Sequence, residues 1–396
     1  MSSSNLVRIA FIPESVYGVT PGAGNFLTAR FTSDSLSGSP ETTESQQIRT
    51  DRMSSGQVVT GLTVGGDINF ELAKEAALES FMESALFNTW VVDTPVAVDI
   101  TVDTVAKTLT RASGTWANDC AVGDVVVLDG FADSANNVPV IILSFTSATV
   151  AKYAGIDTMV DETGSGTSFQ VADKLSIGST KKSFSMEKAF TDLTTKAINY
   201  KGMIVSAFNL NVTYGEIITG SFSFSGNDYS TADSAGEFLT NGRTITAAAT
   251  TNSFNGSVDM PFLVTSAIGD FDEAAFCIQS IEIALNNNLN AQTCIGKAAP
   301  KDYSPGTAQI SVNLSAYLSN DSWSILAKKL SQEAFGVGFI VKNNDGYYGA
   351  YLPAIQVSFD DPASAGQNQD VILNMSGVAK VGPNGVSALT LFKTPA

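Results

Sequence analysis

Residues 206–227, SAFNLNVTYGEIITGSFSFSGN, decide the fold class. Phe208, Leu210 and Val212 alternate with Asn209, Asn211 and Thr213; after a turn at Gly215, Phe222 and Phe224 alternate with Ser221, Ser223 and Ser225. Successive side chains of a strand point to opposite faces, so this period of two predicts a hairpin with one apolar and one polar face. Further out, Ile68, Phe70 and Leu72 alternate in the same way with Asp67, Asn69 and Glu71. Helical spacing is confined to two places. The segment 74–87 gathers Ala77, Leu78, Phe81, Met82 and Ala85 on one face, and 320–334 gathers Trp323, Leu326, Ala327 and Leu330 behind a prospective N-cap at Asn320. The chain reads as mainly β with a few short helices.

The order of these elements occurs twice. The first half runs strand 26–37, polar loop 38–64, strand 65–72, helix 74–87 and hairpin 206–227; the second runs strand 276–285, polar loop 286–306, strand 309–314, helix 320–334 and hairpin 353–379. This predicts two tandem β-sandwich or barrel domains, 1–92 plus 176–250 and 251–396, each with a flanking α-helix. Residues 93–175 have no counterpart in the second half. Their short strands, broken by Gly, Asn and Asp turns, predict a small β-barrel or sandwich module inserted into a loop of the first repeat, with GSGTS (164–168) on the return. Because it interrupts one repeat only, it is expected on the outside of the molecule, as passive decoration rather than a weak glycan binder. On that reading a Gly/Ser linker can replace it without loss of assembly.

Composition excludes most chemistry. The 396 residues are 44% hydrophobic and 15% charged, with 39 acidic against 22 basic side chains, a net charge of −17. A basic nucleic-acid reader is incompatible with that balance. There is no histidine, which removes Ser-His and Cys-His nucleophiles and histidine metal sites. Cys120, Cys277 and Cys294 are too few and too scattered for a disulfide framework or a zinc site. The opening MSSSNLVRIAFIPESVYG lacks the basic region and apolar run of a secretory signal, and no stretch approaches the ~20 apolar residues of a membrane span. The expectation is a chain made in a reducing cytosol, without membrane contact. No G-x-S-x-G elbow, P-loop or G-x-G-x-x-G fingerprint occurs. The carboxylates Asp270, Asp272 and Glu273, and Asp360 and Asp361, lack EF-hand spacing and read as solvated turns rather than Ca²⁺ sites. No catalytic residue, cofactor or metal is expected. The 23 Phe, 10 Tyr and 3 Trp follow strand alternation, which favours core packing over a sugar-binding platform.

Three stretches carry a family resemblance. RIAFIPESVYGVTP (8–21), LTARFTSDSLSGSPETTESQQIRTDR (27–52) with its IRTDR run (48–52), and V-x-G-D-I-N-F-E-L (64–72) before an acidic helix resemble the major tail tube proteins of long-tailed (siphovirus) bacteriophages. The inserted SGTW…VGDVVVLDGF…N block is similar to an add-on in that family; the second half matches through architecture more than wording. The resemblance implies β-sandwich domains flanked by a helix, six of which close a ring around one continuous inner β-barrel. In the duplicated branch three chains supply the six domains. It further implies homotrimeric rings stacked into a virion tail tube, made and assembled in the bacterial cytoplasm. The implied partners are the tail tape measure protein and the tail terminator and tip proteins, with viral DNA passing through without sticking. The alternatives are another surface or virion structural or adhesive β-protein, S-layer-like or carbohydrate-binding, and after that a carbohydrate-active enzyme.

Within the tube reading, strands 65–72, 206–213, 219–226, 278–285, 309–314, 354–359 and 371–376 form the inner wall. The lumen-lining face is then Asp67, Asn69, Glu71, Asn209, Asn211, Ser221, Ser223, Glu282, Gln309, Ser311, Asn313, Gln356, Ser358 and Asn374, without a Lys or Arg. Loops 38–64 and 286–306 exceed hairpin-turn length and mix charges. Glu41, Glu44, Arg49, Asp51 and Arg52 in the first, and Lys297, Lys301 and Asp302 in the second, are expected to meet the neighbouring ring.

Overall fold

The computed structural model describes residues 2–395 except 156–157, 258–261, 268–269, 274–276, 321 and 365; for 262–267, 270–273, 324, 327, 328 and 384 it describes the backbone alone. Strands β1 (Val7–Pro13), β2 (Phe26–Ala29), β3 (Ser33–Asp34), β4 (Ser37–Glu44) and β5 (Gln57–Glu71) lead into helix α1 (Ala76–Leu86). Eight short strands follow: β6 (Val96–Ala97), β7 (Ile100–Asp103), β8 (Thr108–Arg111), β9 (Val125–Asp129), β10 (Pro139–Phe145), β11 (Val150–Ala154), β12 (Glu162–Thr163) and β13 (Ser168–Val171), with one helical turn, α2 (Trp116–Asp119), among them. The chain returns through β14 (Asp173–Ser176), β15 (Phe184–Phe190), β16 (Ala197–Thr213), β17 (Thr219–Gly226), β18 (Asp228–Ala232) and β19 (Ile245–Thr246). The rest holds β20 (Phe262–Ala267), β21 (Asp270–Glu273), β22 (Ile278–Asn286), β23 (Asn290–Gln292), β24 (Asp302–Ser304), β25 (Gln309–Tyr317), α3 (Trp323–Ser331), β26 (Phe335–Asn343), β27 (Gly346–Ser358), β28 (Ile372–Ala379) and β29 (Thr390–Lys393).

The two halves share one strand order. In the first, β3/β4–β5–β17–β16 form an antiparallel ribbon, and β2–β1–β15–β16–β18 form a second that shares the long β16. In the second, β22–β25–β28–β27 and β21–β20–β26–β27–β29 share β27 in the same way. A bulge between Val205 and Ala207 marks where β16 passes from one ribbon to the other, and the added twist at a bulge suits such a bend. One further pairing joins the halves: β16 runs antiparallel to β22 from Ala207↔Asn286 to Thr213↔Ser280.

The period-two pattern explains the core. Ile68, Phe70, Phe208, Leu210, Phe222, Phe224, Ile281, Ile283, Ile310, Val312, Leu373 and Met375 are all buried on one face of the joined sheet. Helix α1 lies in the same core with Ala77, Leu78, Phe81, Met82 and Ala85 buried as the spacing predicts. The Phe81 ring sits 4.6 Å from Phe11, 5.3 Å from Phe184, 5.6 Å from Phe222 and 5.2 Å from Phe224. Burying such a side chain contributes about 2–3 kcal/mol, so this aromatic cluster locks helix to sheet. Helix α1 ends where Phe87 takes a left-handed φ of 50°.

The insertion is a closed barrel. The run β6–β7 pairs with β13–β12 on one side and β8 on the other, and the circuit continues β8–β11–β10–β9–β13. Closure leaves no free edge to aggregate. Trp116, Phe169, Tyr153, Val126, Leu128, Val140 and Ile142 fill its interior. Arg111, 5% exposed, pairs with Asp119 at 2.6 Å while its guanidinium lies over the Trp116 and Phe169 rings.

Several sequence expectations are corrected here. Helix α3 presents a different face: Ile325 is buried and Leu326 partly so, whereas Trp323 is 59% and Leu330 92% exposed; the Ala327 side chain lies outside the described residues. The helix begins at Trp323, after buried Ser322, rather than behind Asn320, because the Ser319 and Ser322 hydroxyls exchange hydrogen bonds with each other's backbone N–H. Strand 26–37 is three pieces, β2, β3 and the start of β4, which serve different ribbons. Loop 38–64 is mostly the paired arms of β4 and β5, and loop 286–306 contains the β23–β24 hairpin. The expected start of the second-half strand, Phe276, lies outside the described residues.

The module also fails to stand clear of the rest. Val125, Ile141, Leu143, Ala154 and Ala172 on its outer surface pack with Ile340, Tyr347, Tyr351 and Phe392 of the second half. Replacing it with a linker would strip the cover from four large apolar side chains, so the expectation of a dispensable insert does not fit this packing. The return strand β14 pairs with β29, and Lys393 of β29 meets Glu79 of α1 at 2.6 Å and Asp173 at 3.9 Å. The insertion is thereby tied to both halves.

Candidate functional site

The joined sheet β3/β4–β5–β17–β16–β22–β25–β28–β27 has one face packed on the core and one open face. Every predicted lumen residue lies on the open face. Asp67, Gln309, Ser311, Asn313, Ser358 and Asn374 are exposed, and Asn69, Glu71, Asn209, Asn211, Ser221, Ser223, Glu282 and Gln356 are partly exposed. The register brings Asn69, Ser221 and Asn209 into one cross-strand row, and Asn211, Glu282, Asn313, Ser376 and Ser358 into another.

Polar side chains on this face hold one another. Glu282 accepts from the Asn209 amide at 3.1 Å and the Asn313 amide at 2.9 Å, so one carboxylate is bonded to both halves of the chain. Asn69 donates to Ser33 at 2.8 Å, Ser315 to Asn374 at 2.9 Å, and Ser253 to Glu71 at 2.9 Å. Segments 64–71, 204–213, 219–226, 278–286, 309–317, 355–358 and 372–379 contain no Lys or Arg. The face offers amides, hydroxyls and the carboxylates Asp67, Glu71 and Glu282. Within these segments a phosphodiester chain meets no cation and so releases no counterions there; Lys380, exposed and next in the alternation of β28, lies just beyond them.

The two charged loops sit at one end of this face. The Leu62 N–H donates to the Ala298 carbonyl at 2.8 Å, which fastens the β4–β5 arm to the loop that carries Lys297 and Lys301. Glu41 and Glu44 accept from Thr63 at 2.6 Å and Ser54 at 2.7 Å within the arm. At its tip Arg49 forks onto Asp51, and this hydrogen bonding holds the Asp51 carboxyl below the usual range and the guanidinium above it. Arg52, at a left-handed φ of 59°, is exposed, as are Lys297 and Lys301. Asp302 differs from its neighbours in being taken by Lys181 at 2.7 Å. Five apolar side chains accompany the charges: Ile48, Met53, Val58 and Val59 on the arm, and Ile295 on the loop, each more than half exposed. The opposite end exposes Tyr214, Ile217 and Trp323.

Of the acidic clusters, Asp361 pairs with Lys329 at 2.9 Å, and the Asp270, Asp272 and Glu273 side chains lie outside the described residues. Among the described residues no group of three or more Cys, Asp or Glu is placed to hold a metal, and no helix is long and apolar enough to cross a membrane.

A family model described as phage tail tube protein matches residues 4–379. The chain belongs to the phage tail tube protein family. No curated protein matches the sequence. As a tail tube protein it is a structural component of the phage virion that assembles with itself into a tube. Sequence reasoning missed the face by which the module docks. Its signal was present in the continuous apolar runs VVVL (125–128) and PVIIL (139–143), since a strand buried on both faces loses its alternation.

Proposed function

We propose that three copies of this chain close a ring, and that rings stack head to tail into the tail tube through which a long-tailed phage ejects its DNA. The single observation that supports this most is the β16–β22 pairing, which carries one cation-free polar face without interruption across both halves. The shared strand order supports reading residues 1–92 plus 176–250 and 251–396 as duplicated tube domains, with 93–175 inserted. Six such domains satisfy the same closed geometry whether they come from six chains or from three. The fourteen polar residues then line the bore, where like charge keeps the duplex near the axis over a screening length of about 10 Å.

Ring stacking falls to the two ends. The charged arm and loop meet the opposite end of the next ring, where their exposed apolar side chains find Tyr214, Ile217 and Trp323. The tape measure protein occupies the bore before ejection, and the terminator and tip proteins cap the two ends. Negative-stain images of the purified chain are expected to show rings or tubes, with a ring mass of three chains by native mass spectrometry. Isolated monomers at high concentration, or rings of six chains, would overturn the reading.

A further inference from the structure

Asparagine is followed by glycine at Asn241–Gly242, Asn255–Gly256 and Asn384–Gly385. In such a pair the main-chain nitrogen of the glycine can reach the asparagine Cγ, because the second residue has no side chain to obstruct the approach. The fold decides whether it does, by how firmly it holds the nitrogen and the amide apart. Two of the pairs are held in opposite ways; the Asn384 side chain lies outside the described residues.

At Asn255–Gly256 both reacting groups are engaged. The Gly256 N–H donates to the Glu216 carbonyl at 3.0 Å, and the Asn255 side-chain oxygen accepts from the Ser257 N–H at 2.9 Å. Asn255 also bridges to Ile217, and a Cβ on Gly256 would collide with the Thr213 carbonyl, so this peptide has little room to turn. At Asn241–Gly242 neither group is held. Asn241 is exposed, and among the described residues neither its side-chain amide nor the Gly242 N–H makes a hydrogen bond. Gly242 has a left-handed φ of 68°, with nothing within 4 Å of the position a Cβ would take. The turn is closed by the Arg243 N–H donating to the Thr240 carbonyl at 3.0 Å, a bond that spans the peptide between Asn241 and Gly242 and leaves that peptide free to rotate.

We propose that Asn241 is a site of spontaneous deamidation and isomerisation. The Gly242 nitrogen attacks the Asn241 Cγ, a new C–N bond closes a five-membered succinimide, and the side-chain nitrogen leaves as ammonia with the Gly242 proton. Water then adds to one of the two ring carbonyls and breaks its bond to nitrogen. Attack at Cγ gives aspartate, and attack at the main-chain carbonyl gives isoaspartate, through which the chain runs by way of the former side chain. The residues on either side are anchored. Thr240 donates its N–H at 3.0 Å and its hydroxyl at 2.8 Å to the fully buried Glu187, and Arg243 donates to the Pro21 carbonyl with its guanidinium 5.5 Å from the Phe26 ring. Isoaspartate inserts one main-chain carbon between these anchors, and either product adds a carboxylate to a chain already at −17. A virion component is not replaced after assembly, so the product accumulates with the age of the particle.

The test incubates the full-length protein, folded, in mildly alkaline buffer and follows it by peptide mapping with mass spectrometry. Isoaspartate is read separately by methyl transfer from a labelled donor with an isoaspartate methyltransferase. Product is expected to accumulate several-fold faster at Asn241 than at Asn255 in the same sample, and at similar rates at the two sites once urea has unfolded the chain. Asn241→Gln, which would have to close a larger ring, is expected to remove both the methyl label from this peptide and most of the acidic shift of the aged protein on ion exchange. An unmodified Asn241, or one matched by Asn255 in the folded chain, would overturn the assignment. A difference that persists in urea would show that the hydrogen bonds around Gly256 are not its cause and would overturn the structural argument.

Discussion

Gly123 of the module faces Tyr351 of the second half, and it offers a measurement of how firmly the two are packed. Its φ is +92°, and a Cβ built there would lie 2.6 Å from the Tyr351 ring, closer than real Cβ contacts. Gly166, in the same module, has φ +72° and open space around the same position. Both alanine variants incur the left-handed penalty of roughly 1–2 kcal/mol. Only Gly123→Ala also overpacks a buried contact, which costs roughly 1–3 kcal/mol more. Tyr351 is held against Ile340, Tyr347 and Phe392 and has little room to move. Gly123→Ala is therefore expected to destabilise the full-length chain by about 2–5 kcal/mol and Gly166→Ala by about 1–2 kcal/mol, read from urea midpoints at fixed slope. Equal losses from the two substitutions would refute the docked module and restore an independent insertion.

Glu75 is buried, and burial pushes its carboxyl from 4.5 up to about 7. Between those values it is neutral when folded and charged when unfolded, so its contribution is fully present below the lower value and lost as pH rises through the upper one. Glu75→Gln should match the native chain below the lower value and be more stable by about 1–3 kcal/mol at pH 8; a pH-independent difference would contradict this. Changing Asp67, Glu71 and Glu282 together to Lys should give tubes that bind duplex DNA with a steep salt dependence and eject it more slowly, and ejection at the native rate would remove the lumen assignment. Charge reversal at Arg49 and Arg52 should leave rings intact but shorten or abolish tubes under electron microscopy; tubes of normal length would move the stacking contact elsewhere.

The alternating strands were legible because each has one dry and one wet face, so Phe208–Val212, Phe222–Phe224 and Ile68–Leu72 declared both their structure and their exposed side. Helix α1 was equally plain, since one wide apolar stripe meets one sheet. Helix α3 misled because its Trp323 and Leu330 satisfy helical spacing yet lie exposed, leaving Ile325 to make the buried contact. Exposed apolar side chains at an end of the fold follow the needs of a surface rather than of the core. The charged arm read as a loop because 38–47 is polar on both faces and Val58 and Val59 of its partner strand are both exposed, and a strand without a dry face carries no periodic signal. The docking of the module escaped notice for the opposite reason: strands with two dry faces look like uniform apolar runs. Residue pairs such as Glu282 with Asn209 and Asn313 depend on register, which alternation alone constrains only to steps of two.

The central claim is that the joined β16–β22 sheet, continued between copies, is the wall of the bore. A cryo-electron-microscopy reconstruction of tubes grown from the purified chain tests it most directly. The account predicts three chains per ring, an unbroken antiparallel barrel, and Asp67, Asn209, Glu282 and Asn313 pointing into the channel with no Lys or Arg beside them. A ring of six chains, or a bore lined by any other face of the molecule, would contradict it.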